Sequence, residues 1–358
     1  MDNKLTPFEA THAGILVKDE IEARNITQKE LAVMIGVKQS FLNEIIKGKR
    51  PITAETALYI GKALDIPADY LMRFQSQYEL DCARIKEKNI QKEKNISLWK
   101  IITEYVPVNS LSKLGYLGND LQENIDTIMK IFRVNTIDGI IGVYSERRNA
   151  FYKKSEKLEN DKKNMITWSV LAEYEAGKKQ VDIFNFDNVP RLIKELNEIF
   201  FENKNVLPRL DDILTLYGIK FNIVKKLDKT PIDGYSFWSE QNPAIAITLR
   251  HSRLDNLAFT LLHELGHIVL HLKENKDLKF MDLDKIQEGK IEDEANDFAE
   301  TSLIPNKSLN EIDYLNPIDE DILNISLKNK INPAIILGRI CHLTSNYKVR
   351  TNISRAIN

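Results

Sequence analysis

The stretch TLLHELGHIVLH, residues 260–271, constrains this chain most. It is oily enough for a core helix, yet it carries three histidines and a glutamate. Residues four apart share a helix face, so His263 and His267 can present their rings to one ion. Glu264 follows His263 directly, within reach of a water at that ion. The spacing is H-E-x-x-H, in which the histidines ligate zinc and the glutamate is the general base. Packing alone would explain Leu261, Leu262, Leu265 and Ile268. It would not explain the glutamate among them, because a carboxylate is rarely buried unpaired.

A catalytic zinc takes three protein ligands and keeps a fourth position open. The third donor is sought in IEDEANDFAE, residues 291–300, where Glu292, Asp293, Glu294 and Glu300 are eligible. An apolar stripe read as Ile291, Ala295, Phe298 and Ser302 points inward. Glu292 and Glu294 flank that stripe at similar angles, so periodicity leaves both open. His271 shares the face of His267, but the longer H-E-x-x-H-x-x-G-x-x-H pattern is absent. It is read as supporting or packing against the site rather than as a ligand. His251 and Tyr235 are weak candidates for an oxyanion donor.

These two blocks, FTLLHELGHIVLH and EDEANDFAETSLIP, resemble the ImmA/IrrE family of metallopeptidases over about residues 190–310. The resemblance implies His263 and His267 as zinc ligands, Glu264 as base and Glu294 as the third ligand. It also implies that the strand AIAIT precedes the active-site helix, where its edge could pair with an extended peptide.

The first 80 residues read as five short helices. TQKELAVMIG opens with Thr27 and Glu30 three apart, a capping-box pair, and stops at Gly36. A helix beginning KQSFLNE follows. A short helix, a glycine turn and a second short helix make a helix-turn-helix, whose second helix can enter the major groove. Lys38, Gln39, Ser40 and Asn43 stand near its start. Gln and Asn can pair with adenine, and Lys with guanine or phosphate. Lys38, Lys47, Lys49 and Arg50 concentrate cations there, although the whole chain has a net charge of −2. The span from ITQKELAVMIG to ALDIPADYLM is similar to phage-repressor-like (Xre) domains, HigA-type antitoxins in particular. That resemblance implies Gln28 on the phosphate backbone, Gln39, Ser40 and Asn43 on bases, and a homodimer on operator DNA. It departs from the family at Val37-Lys38, where a capping Ser or Thr is common, so a cap worth about 1 kcal/mol is missing.

The remaining features set the frame. A chain of 358 residues, 43% hydrophobic and 28% charged, suits several folded domains. Two distant cysteines, Cys82 and Cys341, suit free thiols in a reducing cytoplasm. The start MDNKLTPFEA lacks the pattern of a signal peptide, and no apolar run is long enough for a membrane span. The expected architecture is mainly α with a small β-sheet (α+β). It comprises a helix-turn-helix domain at 1–80, a helical connector at 81–185, a zincin-like peptidase domain at 186–310 and a helical segment at 311–358. Strands are expected at 219–227, 233–238 and 244–249. The site helix is expected over 252–272, opened by Ser252 with Asp255, with a polar loop at 273–290. The cation-rich stretch 146–163 reads as an exposed helix face.

The combined expectation is a cytoplasmic DNA-binding regulator with a zinc-dependent endopeptidase domain. Its partners would be double-stranded operator DNA and a protein substrate, a transcriptional repressor by resemblance. The alternative is a HigA-like antitoxin or repressor, with a toxin as partner, whose peptidase-like domain only senses or binds.

Overall fold

The structure, a computed structural model, describes residues 9–152, 162–283, 289–305 and 317–358. Contacts divide the chain into two compact units, Met1–Leu98 and Trp99–Asn358.

Among the described residues the first unit is all-helical: α1 (Gly14–Ala23), α2 (Gln28–Met34), α3 (Gln39–Ile46), α4 (Ala54–Leu64) and α5 (Ala68–Ile85). The expected capping box is present. Thr27 Oγ1 accepts from the Glu30 N–H at 3.2 Å, and Glu30 Oε2 accepts from the Thr27 N–H at 2.7 Å. Two otherwise orphaned donors at the start of α2 are thereby satisfied. Gly36 has φ +71°, a left-handed conformation that glycine adopts without steric cost, and the chain turns there into α3. Lys38 occupies the N-cap of α3 and makes no side-chain cap bond, as expected. Leu31, Leu42, Ile45, Ala57, Ile60, Leu64 and Leu71 close the core around these turns.

Helix α6 (Glu87–Tyr105) runs through the division point. The second unit continues with α7 (Val108–Lys113), α8 (Leu121–Phe132), α9 (Ile137–Tyr152), α10 (Lys162–Gly177), α11 (Val189–Glu202) and α12 (Val206–Leu216). Next come β1 (Lys220–Ile223), β2 (Ile232–Ser239), β3 (Asn242–Ile247), α13 (Leu254–His267) and β4 (Lys279–Leu283). Helices α14 (Lys290–Leu303), α15 (Asp319–Asn329) and α16 (Pro333–Thr344) complete it. Among the described residues no helix is long and apolar enough to cross a membrane.

The sheet order is β1-β3-β2-β4, with β1 parallel to β3 and the other pairs antiparallel. Two expectations change here. The polar loop at 273–290 contains a strand, β4, and its residues 284–288 lie outside the described ones. The strand AIAIT is interior, paired on both sides, so it offers no edge to a peptide. Among the described residues the edges are β1 and β4.

Alternation divides the sheet into two faces. Phe221, Ile245, Ile247 and Phe280 join Leu257, Leu261 and Leu265 of α13 in one core. On the other face Tyr235 packs against Trp168 of α10, and Trp168 Nε1 donates to the Val224 carbonyl at 3.4 Å. Tyr235 donates to Glu173 Oε1 at 2.5 Å, and Glu173 also takes Arg147 Nη2 at 2.7 Å and Lys279 Nζ at 2.9 Å. Arg147, from the cation-rich stretch read as an exposed face, therefore turns inward. Residues 153–161 of that stretch lie outside the described ones.

The start of α13 also differs from expectation. Ser252 is no cap; Arg253 holds that position without a side-chain bond. The C-terminal segment supplies the missing acceptor instead, as the Leu254 N–H donates to the Arg355 carbonyl at 2.8 Å. Asp255 is taken by Arg253 Nε at 3.0 Å and by Arg355 at 3.7 Å. Past His267 the helix widens into a π turn over Ile268–Leu272.

The Glu173 cluster yields a stability prediction. Burial raises the Glu173 carboxyl, but Arg147 and then Lys279 outweigh it and hold it below its ordinary value. A depressed carboxyl contributes stability above its unfolded pKa and loses it as pH falls through the folded one. Glu173→Gln should cost about 3 kcal/mol near neutrality, as removal of one partner strands Arg147. Urea melts at stepped pH should show the gap to wild type closing below the ordinary carboxylate range.

Candidate metal centre

Helix α13 is buried over nearly its whole circumference, between the sheet, α14 and α16. Two glycines set what lies against it. A Cβ on Gly266 would stand 3.0 Å from Phe298 and 3.3 Å from the Ala295 backbone, so its absence lets α14 cross close. A Cβ on Gly234 would stand 2.3 Å from Glu264 Oε1, so the Glu264 carboxylate occupies the space that β2 leaves there. Glu264 and His263 are fully buried, and His267 is 1% exposed.

The α13–α14 crossing gathers three donors. His263 Nε2 and His267 Nε2 lie 3.0 Å apart, and Glu292 Oε2 lies 3.4 and 3.3 Å from them. Among the described residues, His263, His267 and Glu292 form the group able to hold a metal. Zinc bonds of about 2.0–2.1 Å in a tetrahedron place ligand atoms about 3.3–3.4 Å apart. The donor set therefore fits zinc in kind and spacing.

The carboxylate in this group is Glu292, where resemblance had implied Glu294. The reason is the phase of α14. Its buried residues are Ala295, Ala299 and Leu303, whereas Ile291, assigned to the inward stripe, is 45% exposed. At about 100° per residue, Glu292 falls about 20° from the centre of the buried stripe and Glu294 about 140° away. Glu294 instead receives His271 Nε2 at 3.2 Å and Lys290 at 3.4 Å. Asp293 is exposed, and Glu300 is engaged by Arg339.

The electrostatics suit a cation. Burial pushes the His267 imidazole down to about 4, so it is neutral near pH 7 with a lone pair to give. Burial raises the Glu292 carboxyl, but the His263 and His267 rings facing it outweigh this and hold it well below the carboxylate range. The ring of Phe280 stacks on His267 with centroids 4.4 Å apart, and Phe259 lies 6.0 Å from His263. Asn296 Oδ1 sits 2.9 Å from His263 Nδ1, which holds the proton there and leaves Nε2 for metal. Sequence reasoning missed Asn296 and Phe280. The i+4 spacing from Glu292 could have pointed to the first; the second lay in the unread strand.

Tyr235 belongs to the opposite face of β2 from Gly234 and reaches Glu173, away from the metal group. His251 is exposed.

In the first unit, Ser40 lies on the face of α3 opposite its buried Leu42, Ile45 and Ile46, Asn43 lies on its flank, Gln39 is its first residue and Lys47 caps its end. Lys38, Gln39, Ser40, Lys47, Lys49 and Arg50 are exposed; Asn43 and Gln28 are half-buried. Arg50 pairs with Glu44 at 2.8 Å and lies 4.9 Å from the Phe41 ring centre, so the anion among these cations is already neutralised.

Together these features define a helix-turn-helix unit and an α+β unit with a two-helix His-His-Glu centre. Residues 17–71 match the helix-turn-helix family and residues 218–331 match the IrrE N-terminal-like domain family. The chain thus carries one domain of each kind. A virulence-associated protein A′ of Dichelobacter nodosus is 33% identical over 70 residues, 19% of this chain. The chain spans 61% of the length of that curated relative. Antitoxin HigA of Pseudomonas aeruginosa, solved with the higBA promoter, is 27% identical over 24% of this chain and 94% of its own, with a TM-score of 0.23. An addiction module antidote protein of a HigA family from Coxiella burnetii is 27% identical over 24% and 96%, with a TM-score of 0.22.

The geometry separates the two glutamates. Glu292→Ala should abolish stoichiometric zinc uptake, measured by elemental analysis after equilibration with excess zinc, whereas Glu294→Ala should still reach one equivalent at reduced affinity. Equal zinc content in the Glu292 variant and the wild type would exclude ligation by Glu292.

Proposed function

We propose that this protein is a DNA-binding regulator whose second unit is a zinc-dependent endopeptidase. The observation that carries the enzymatic reading is the His263–His267–Glu292 donor set with Glu264 held beside it against Gly234. Zinc held there would supply a Lewis acid for the scissile carbonyl and an acidified water. Glu264 is the residue positioned to take a proton from the nucleophile and to return it to the leaving amine. Its seat against β2 restricts its rotamers, which keeps the carboxylate aimed without reorganisation. The β4 edge, whose Phe280 covers His267, is the strand beside this centre that an extended peptide could pair with.

The exposed face of α3 supports the DNA reading. Gln39, Ser40 and Asn43 would contact base edges, and Gln28, Lys38, Lys47, Lys49 and Arg50 would contact phosphates. A palindromic operator would be bound by a homodimer. The pairing of the two activities makes another transcription regulator, a repressor, the favoured protein substrate.

Two experiments test this. Glu264→Gln should keep full zinc occupancy and lose cleavage of the repressor substrate in a gel assay. Wild-type turnover by that variant would remove Glu264 from the mechanism. Operator binding without any cleavage by the zinc-loaded wild type would favour a purely regulatory role. On DNA, Asn43→Ala should flatten discrimination by about 1–3 kcal/mol at one base position. Lys47→Ala should weaken all sequences alike and reduce the salt slope by about one.

A further inference from the structure

His267 Nδ1 lies 3.1 Å from His271 Nδ1, and His271 Nε2 lies 3.2 Å from Glu294 Oε2. These contacts join end to end, and only one proton arrangement satisfies all of them together with ligation. Nε2 of His267 faces His263 and Glu292, so a metal there takes its lone pair. The remaining His267 proton must then sit on Nδ1 and point to His271. His271 Nδ1 can only accept it, so the His271 proton sits on Nε2. That proton in turn points at Glu294, whose carboxylate accepts.

We propose that Glu294 and His271 form a positioning relay for the metal ligand His267. The inference rests on the zinc reading of the centre and deepens it. Glu294 orients His271, and His271 orients and polarises His267, increasing its basicity at Nε2. A ligating histidine commonly gives its second N–H to an acceptor, and loss of that acceptor weakens metal binding by about 10–100-fold. His263 has Asn296 in that role at 2.9 Å; His267 has a histidine backed by a carboxylate, a stronger acceptor than an amide.

The local fold supports the assignment. His271 lies within the π turn Ile268–Leu272, where the helix departs from α geometry directly after His267. Such turns concentrate at functional sites. The His271 side chain is 9% exposed and its ring packs beside Phe280, which also stacks on His267. Glu294 is 42% exposed, so its substitution should leave the core undisturbed.

The test measures zinc affinity by competition with a chromophoric chelator, and the visible spectrum of the cobalt-substituted protein. Folding of each variant is checked by circular dichroism. His271→Phe keeps a ring against Phe280 but removes the acceptor, and should weaken zinc about tenfold or more. His271→Asn places an amide oxygen near the former Nδ1 and should recover most of that loss. Glu294→Ala should weaken zinc and shift the cobalt bands in the wild-type background, yet have no effect in the His271→Asn background, where the relay is cut. Wild-type affinity in the His271→Phe protein, or an equal Glu294→Ala effect in both backgrounds, overturns the relay while leaving the metal centre standing. A wild-type protein that takes up no zinc overturns the centre and the relay together.

Discussion

The close crossing of α13 and α14 at Gly266 is the constraint on which the second unit's candidate site depends. Two histidines one turn apart make only an incomplete, weak metal site. The carboxylate that completes the set comes from a different helix, and a side chain at position 266 would meet Phe298 and the Ala295 backbone. The same crossing brings Asn296 to His263 Nδ1 and Glu294 to His271. One glycine contact therefore serves the third donor and both groups behind the histidines. The burial of α13 on its other sides, against the sheet and α16, leaves those rings little freedom to turn away.

What could be read beforehand followed the range of each signal. Thr27 with Glu30, Gly36 and the unusual Lys38 cap are local, and each appears in the helix-turn-helix as its chemistry requires. The H-E-x-x-H spacing is also local. The choice between Glu292 and Glu294 was not, because it turned on the phase of α14. Ile291 looked like the start of the buried stripe, but it lies beside the helix start and is exposed, and the stripe runs through alanines. Small residues mark close helix approach, which a reading by hydrophobicity alone undervalues. Strand β4 escaped notice because it is short, begins with lysine and is set among charges. The direction of Tyr235 depended on register, which only the paired sheet reveals.

The two faces of the sheet divide the unit's polar chemistry. Facing α13, Gly234 gives room to Glu264, and Phe280 covers His267. Facing α10, Tyr235, Arg147 and Lys279 converge on Glu173. Strand β4 contributes neighbouring residues to both sets, Lys279 to one and Phe280 to the other. An edge strand held only by its ladder is a weak element; here an ion pair on one face and an aromatic stack on the other anchor it. The segment expected to be a connector supplies Glu173 and Trp168, and so supports the sheet from behind.

Precision at the centre arises from burial as much as from hydrogen bonds. A carboxylate in a dry site is costly unless something holds or compensates it, and a metal cation is a compensating charge that the spacing of His263, His267 and Glu292 could accept. The low proton affinity of His267 comes from burial, and that of Glu292 from the facing His263 and His267 rings, which outweigh its own burial. Here burial drives the proton off His267, and the backing groups Asn296 and His271 direct both rings toward a common point.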